Sequence, residues 1–108
     1  MADVNANTRN TPITLGVNRY ILGDFSRYAN SNRQLGVSVD LNGGTLTFTF
    51  QGRVPGATTW TNIRATPLST GTVATGGTAT ENWQLVPDGL EIAINVTVAT
   101  GSPFAVWG

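Results

Sequence analysis

Apolar and polar residues alternate strictly along two neighbouring stretches in the middle of the chain. Every second residue is apolar from 35 to 41, and again from 46 to 50. A period of two is typical of β-strands that bury one face. The two stretches are separated by Asn42-Gly43-Gly44, and Asn-Gly favours a tight turn because both residues tolerate positive φ. The pattern predicts a β-hairpin made of these two strands.

Three later stretches are also predicted to be strands. Residues 90–98 alternate over nine positions and predict a long central strand, while residues 80–86 predict a strand with Trp83 and Leu85 inside. Residues 59–65 predict a third. Residues 66–78 are mainly Thr, Gly, Ser and Ala, which favours a loop or a weak edge strand. The inward positions expected to form one core are Leu46, Phe48, Phe50, Leu90, Ile92, Ile94, Val96 and Val98.

The first part of the chain has a different character. Residues 2–11 show no apolar periodicity and are predicted to be extended or mobile. A turn is expected at 29–32, and residues 23–30 are the only place where a turn of helix fits. We therefore predict an extended N-terminal arm, residues 1–18, followed by a single β-domain, residues 19–108. A chain of 108 residues suits one core.

Turn signals between the alternating stretches indicate the fold class. Pro-Gly, Pro-Asp-Gly and Gly-Ser-Pro sequences fall within 54–57, 87–89 and 100–103, where Pro presets φ and Gly supplies a permissive position. Six to eight short strands with such connections are typical of an all-β, antiparallel β-sandwich of the jelly-roll kind.

The residue inventory argues against catalysis. The chain has no His and no Cys, which excludes the usual catalytic triads, Cys-His dyads and common zinc sites. Its cations are all Arg, so a Schiff-base lysine is also excluded. A glycosidase-type carboxylate pair remains, but Asp40 and Glu91 fall on outward strand positions and suit solvated surface charges. We expect no enzymatic activity, no cofactor and no metal site, since no segment has the Asp spacing of a calcium loop.

Charge is sparse and balanced. Six Arg oppose six acidic residues, giving a net charge of zero, which provides no electrostatic footprint for nucleic acid or an anionic membrane. No signal peptide or membrane-length apolar run is visible, so we expect a protein that is soluble when made. The use of Arg alone suits interfaces, although genomic codon bias explains it equally well.

The Arg-rich N-terminal segment and the C-terminal 104–107 stretch are the best candidates for contacts with a partner. Arginines there, including Arg33, are expected to pair with carboxylates of another subunit. A frayed terminus explains residues 1–8 well, but apolar residues recur from 12 to 28, where 12–15 predict a short edge strand. The expected partner-binding residues are Arg9, Pro12, Ile13, Leu15, Arg19, Arg27, Phe104 and Trp107.

The tryptophans leave two interpretations open. Trp60, Trp83 and Trp107, with Tyr20 and Tyr28, could form a stacking platform for sugar rings. Alternatively Trp83 and Trp60 lie in the core or cap an end of the sandwich, which the pattern favours. Trp107 either completes an edge strand or docks on a neighbour.

The stretch 37–63 resembles small β-sandwich structural proteins of tailed bacteriophages. In those proteins a segment of the form GT-x-TF-x-x-QG, here residues 44–52, precedes a Pro-Gly turn and W-x-x-I, here Trp60 to Ile63. The similarity covers residues 35–65 well and the later strands more loosely, while the first 34 residues match no such protein. Members include capsid decoration (cement) proteins and minor head or tail components.

The resemblance implies a virion part. The leading hypothesis is a decoration protein made in the host cytoplasm and bound to the outer capsid surface, where it bridges major capsid protein subunits. A homo-oligomer is expected, with a dimer favoured over a trimer because exposed edge strands invite pairing across a two-fold axis. The alternatives are a minor tail or fibre module contacting the host surface, and a carbohydrate-binding β-sandwich module.

Overall fold

The protein is a sandwich of two β-sheets. A computed structural model describes residues 2–28 and 34–108. Within these residues, eleven strands and a single 3₁₀ turn, Ser26–Tyr28, are formed. The strands are β1 Asp3–Asn5, β2 Ile13–Thr14, β3 Arg19–Asp24, β4 Leu35–Asp40, β5 Thr45–Arg53, β6 Thr61–Asn62, β7 Thr66–Pro67, β8 Gly76–Gly77, β9 Glu81–Leu85, β10 Glu91–Thr100 and β11 Phe104–Trp107.

The prediction of an all-β sandwich is confirmed. One sheet has the strand order β1-β3-β10-β5-β6, with β8 also paired to β5, and the other has the order β2-β11-β4-β9-β7. Neighbouring strands are antiparallel except for β1 and β3, which are parallel. β10 is central, as expected, and both sheets end in strands of two or three residues. In the described part of the chain, no helix is long and apolar enough to cross a membrane.

The core lies between the two sheets and is built from alternate residues of the long strands. Phe48 and Phe50 of β5 are 1% and 0% exposed and meet Trp83 of β9 across the interior. Their rings pack edge-to-face with centroids 5.9 and 5.3 Å from that of Trp83. Each fully buried side chain of this size contributes about 1.5–3 kcal/mol from loss of apolar contact with water. The inward positions predicted for β5 and β9 are therefore confirmed.

The predicted hairpin is wrong, although its turn is present. Asn42 and Gly43 have φ of 49° and 78°, and the amide of Gly44 donates to the carbonyl of Leu41 at 2.8 Å. However, β4 pairs with β9 and β11, whereas β5 pairs with β10. The turn carries the chain from one sheet to the other. A strand buries one face whether its neighbour in sequence lies in the same sheet or in the facing sheet. Alternation of apolar residues therefore does not distinguish a hairpin from a turn between the two sheets.

The predicted inward orientation of Val98 is also wrong. The register between β10 and β5 shifts between Val96 and Val98, which marks a β-bulge. Val98 lies opposite Thr47 and is 48% exposed, while Ala99 takes the inward position opposite Leu46. One extra residue in a strand moves every later side chain to the opposite face of the sheet, because side chains alternate with a period of two.

The N-terminal segment lies along the sandwich and does not project from it as an arm. β1 joins the edge of one sheet and β2 joins the edge of the other. The short edge strand predicted at 12–15 is confirmed but is limited to Ile13–Thr14. Leu15, which follows it, is 2% exposed. The strand predicted at 59–65 is limited to β6. The turn expected at 29–32, and Arg33, lie outside the described residues.

Candidate functional site

The predicted partner-binding residues separate into distinct places in the fold. Arg9, Arg27 and Trp107 line one cavity at an end of the sandwich. Arg19 lies on the outer face of the larger sheet, bonded to Gln51 of β5. The remaining residues lie along β2 and β11: Leu15 is buried, Ile13 and Phe104 are half-buried, and Pro12 is exposed.

The cavity at the end of the sandwich has an apolar floor and a charged rim. Its volume is about 380 Å³, at the lower end of the range of about 300–1,000 Å³ that is usual for ligand sites. Leu22, Phe25 and Trp107 form the apolar part of its lining. The polar part comes from two segments, residues 7–9 and 24–27, and consists of Asn7, Arg9, Asp24 and Arg27.

Trp107 holds the N-terminal segment in place at this cavity. The tryptophan is 4% exposed and lies on β11, an interior strand between β2 and β4. Its indole N–H donates to the carbonyl of Ala6 at 2.8 Å, and its ring packs edge-to-face on Phe25 at 5.8 Å. The guanidinium of Arg9 lies over the ring, 5.6 Å from its centroid. The expectation that Trp107 completes an edge strand is therefore wrong, whereas its docking on a neighbour stays a prediction.

The arginines of the described chain fall into paired and unpaired groups. Arg19 pairs with Asp3 at 3.1 Å, and Arg53 makes two hydrogen bonds to Glu91 at 3.0 and 3.1 Å. Within residues 2–28 and 34–108, Arg9, Arg27 and Arg64 have no carboxylate within 4.0 Å. All three are exposed.

Asp24 is the acidic group in the lining of the cavity at the end of the sandwich. Its Oδ1 accepts the backbone N–H of Ser26 at 2.9 Å, at the start of the 3₁₀ turn that carries Arg27. Among the described residues, the lining therefore holds two guanidinium groups and one carboxylate, which give it a positive net charge. A site of this composition can receive an anionic group beside apolar contacts.

Trp60 lies on the outer face of the larger sheet between two arginine side chains. The guanidinium carbon of Arg53 is 4.2 Å from the ring centroid, and that of Arg19 is 5.4 Å away. The hydrogen bonds that Arg53 donates to the carboxylate of Glu91 raise the pKa of Arg53 above its ordinary value. The indole surface that a sugar ring would need is covered by guanidinium groups, while Trp83 and Trp107 are buried. The alternation along β5 did indicate part of this arrangement, because it places the side chains of Gln51 and Arg53 on the outer face of the sheet.

A larger groove lies where the chain crosses from β6 to β7. Its volume is about 900 Å³, and apolar side chains of Ile63, Val73, Val86 and Leu90 contribute to its lining together with Arg64 and Asp88. Val73 and Val86 are 53% and 45% exposed. Sequence reasoning missed this groove because Val73 lies in the segment 66–78, predicted to be a loop or a weak edge strand, and Val86 lies at the end of the strand predicted at 80–86. Neither valine had been assigned to the core, and that was the available signal.

The carboxylates are dispersed over the described part of the chain. No three His, Cys, Asp or Glu side chains in residues 2–28 and 34–108 lie close enough together to hold a metal ion. Asp40 is exposed and Glu91 is engaged with Arg53. The two cavities described above offer arginine donors and apolar side chains.

Comparison with known proteins finds a shared fold. No model of a protein family matches the chain, and no curated protein matches it either. Among solved structures, the crystal structure of the SPBc2 prophage-derived protein YomS is similar, with a TM-score of 0.62 and 16% sequence identity. The match covers 91% of this chain and 80% of YomS. At this identity the likeness shows a common β-sandwich.

Proposed function

We propose that this chain is a capsid decoration protein of a tailed phage, which binds the outer face of the assembled shell and bridges neighbouring major capsid subunits. The observation that carries the proposal is the cavity at the end of the sandwich, where two unpaired arginines border an apolar floor. The resemblance of residues 37–63 to phage structural proteins supports it. The prophage origin stated for YomS, whose fold is similar, supports it further.

The mechanism would be stabilisation by selective binding. A protein that binds the assembled lattice better than free subunits shifts the equilibrium towards the lattice. Many copies of modest affinity then act together. The sheets end in strands of two or three residues, so that pairing of edge strands between two copies would extend over only a few residues.

Co-sedimentation with emptied, expanded capsids of the cognate phage tests the proposal. Deleting residues 1–18 would be a poor probe, since it removes β1, β2 and buried Leu15 together. The double variant Arg9→Gln, Arg27→Gln removes the two charges of the proposed contact, together with the contact of Arg9 on the ring of Trp107. Arg64→Gln is a control that removes another exposed, unpaired charge elsewhere. We expect capsid binding by the wild type at micromolar concentration. Absence of binding at that concentration would refute the decoration role.

The same purified protein tests the proposed oligomeric state and the tail-module alternative. We propose a homodimer, and sedimentation-velocity analysis would detect it. A stable trimer that does not bind capsids would favour a tail or fibre module. A glycan array would test the carbohydrate-binding alternative, for which the covered ring of Trp60 offers little free surface.

A further inference from the structure

The arginines that line the cavity at the end of the sandwich indicate which kind of ligand it can bind. Arg9 and Arg27 come from segments on either side of it, and neither has a carboxylate within 4.0 Å in the described chain. An arginine presents a planar fork of donors that matches a carboxylate. Two such forks beside one cavity leave donors available to an incoming acidic group.

The floor of the cavity adds an apolar requirement. Leu22, Phe25 and Trp107 line it, and the ring of Trp107 is fixed by its hydrogen bond to Ala6 and its edge-to-face contact with Phe25. The three side chains are 0%, 4% and 4% exposed, so the floor offers a small, fixed apolar surface. An apolar side chain that rests on this surface removes it and part of its own surface from water. A small inorganic anion would leave this floor uncovered.

We propose that the cavity binds an acidic side chain flanked by a large apolar side chain, both carried by an exposed segment of the partner protein. Charge complementarity selects this occupant, because the lining holds two guanidinium groups against the single carboxylate of Asp24. The identity of that partner as the capsid lattice rests on the proposed function. The chemistry of the ligand rests on the cavity itself.

A substitution at Asp24 can show whether the ligand is negatively or positively charged. Its carboxylate lines the same cavity and repels an anion, while its Oδ1 accepts the Ser26 amide. Asp24→Asn keeps an oxygen for that amide and removes the negative charge. An acidic ligand should then bind about two- to threefold more tightly, whereas a cationic ligand would bind more weakly.

Capped pentapeptides supply the probes for a direct test. Gly-Leu-Glu-Leu-Gly carries both proposed groups, Gly-Leu-Gln-Leu-Gly lacks the charge, and Gly-Ala-Glu-Ala-Gly lacks the large apolar side chains. Fluorescence anisotropy of labelled peptides measures binding to the full chain. We expect the first peptide to bind at least about fivefold more tightly than either of the others. Equal binding of the glutamate and glutamine peptides would overturn the proposal, as would no binding of any peptide at millimolar concentration.

Matched arginine variants locate the site. Arg9→Gln and Arg27→Gln should each weaken binding of the glutamate peptide by about fivefold, while Arg64→Gln should leave it unchanged. Equal losses in all three would indicate unspecific attraction and contradict the proposal. Nitrogen-15 NMR adds a positional readout: the indole N–H resonance of Trp107 should shift on binding and that of Trp60 should not.

The two experiments separate the ligand from the partner. If the peptides bind as expected but capsids do not, the decoration role fails and the ligand assignment holds. If capsids bind and the Arg9→Gln, Arg27→Gln variant binds them as well as Arg64→Gln does, the ligand assignment fails and the decoration role holds. Urea unfolding of each variant shows whether a loss reflects the contact or the fold.

Discussion

The indole N–H of Trp107 donates to the carbonyl oxygen of Ala6 at 2.8 Å, a bond between residues 101 positions apart in the chain. A second bond reinforces it, because the amide of Asn10 donates to the carbonyl of Trp107 at 2.8 Å. The two contacts tie the segment between β1 and β2 to an interior strand. The N-terminal segment is thereby part of the domain.

Replacing this tryptophan tests that role. Trp107→Phe removes the indole donor and leaves the carbonyl of Ala6, a residue 7% exposed, without its partner. Leaving a buried acceptor unsatisfied costs about 1–3 kcal/mol, so the free energy of unfolding in urea should fall by that amount. Amide hydrogen exchange of Val4 and Ala6 should also accelerate. The control is Trp60→Phe, which lies on the outer face and should cost less. Equal losses in both variants would contradict the role.

The turn between β4 and β5 gives a second prediction. A Cβ on Gly44 would fall on the carbonyl oxygen of Thr100 and lie 3.0 Å from its carbonyl carbon. Gly43 has φ of 78° and open space around its Cα. Gly43→Ala should therefore cost about 1–2 kcal/mol, from backbone conformation alone. Gly44→Ala should cost about 3 kcal/mol or more, because backbone atoms must move.

Urea unfolding of the two variants measures the difference. The reverse order, with Gly43→Ala the more damaging, would mean that Gly44 does not approach Thr100 closely.

The sequence predicted individual strands better than their partners. Alternation at 35–41 and 46–50 located β4 and β5 and the buried faces of both. It could not assign them to different sheets, because facing strands and neighbouring strands bury the same residues. The bulge in β10 could not be predicted either. Val96 and Val98 fit the same alternating pattern, and only the register with β5 shows that Val98 faces outward.

The candidate site was predicted in part for a similar reason. Arginine and tryptophan were singled out correctly as residues suited to an interface, and Arg9, Arg27 and Trp107 do meet around one cavity. Their proximity depends on β1 and β11 lying in opposite sheets, which local patterns do not encode. Trp107 is bonded to Ala6 and Asn10 and packs on Phe25, and contacts between residues so far apart in the chain are not visible in a local pattern.

The pKa of Glu81 leads to a prediction about acid stability. The hydroxyl of Ser69 donates to Oε1 of this carboxylate, and the amide of Asn82 donates to Oε2 at 2.9 Å. The hydroxyl contact is the larger cause that lowers the pKa of Glu81 below its ordinary value. Since the folded state binds this proton less readily than the unfolded state, the contact stabilises the fold above the ordinary pKa, roughly pH 4. The stabilisation is lost as the pH falls through the lowered value.

Ser69→Ala should therefore raise the pKa of Glu81 towards its ordinary value. The stability difference from wild type should be largest near neutral pH and should shrink below roughly pH 4. Carbon-13 NMR titration of the Glu81 carboxyl measures the pKa, and thermal unfolding at several pH values measures the stability. Ser38→Ala, at an exposed position of β4, is the control and should leave the pKa of Glu81 unchanged. An unaltered pKa in Ser69→Ala would show that the hydroxyl does not bond the carboxylate in solution.

The bulge in β10 yields the sharpest test of the register. Val96 is fully buried opposite Phe48, whereas Val98 is 48% exposed opposite Thr47. Threonine has almost the shape of valine but adds a hydroxyl, which costs about 1–3 kcal/mol when buried without a partner. Val96→Thr should lower the free energy of unfolding by that amount, while Val98→Thr should change it by less than about 0.5 kcal/mol. Both are measured by urea unfolding with an unchanged slope. Equal losses would mean that β10 continues without a bulge and that both valines face the core.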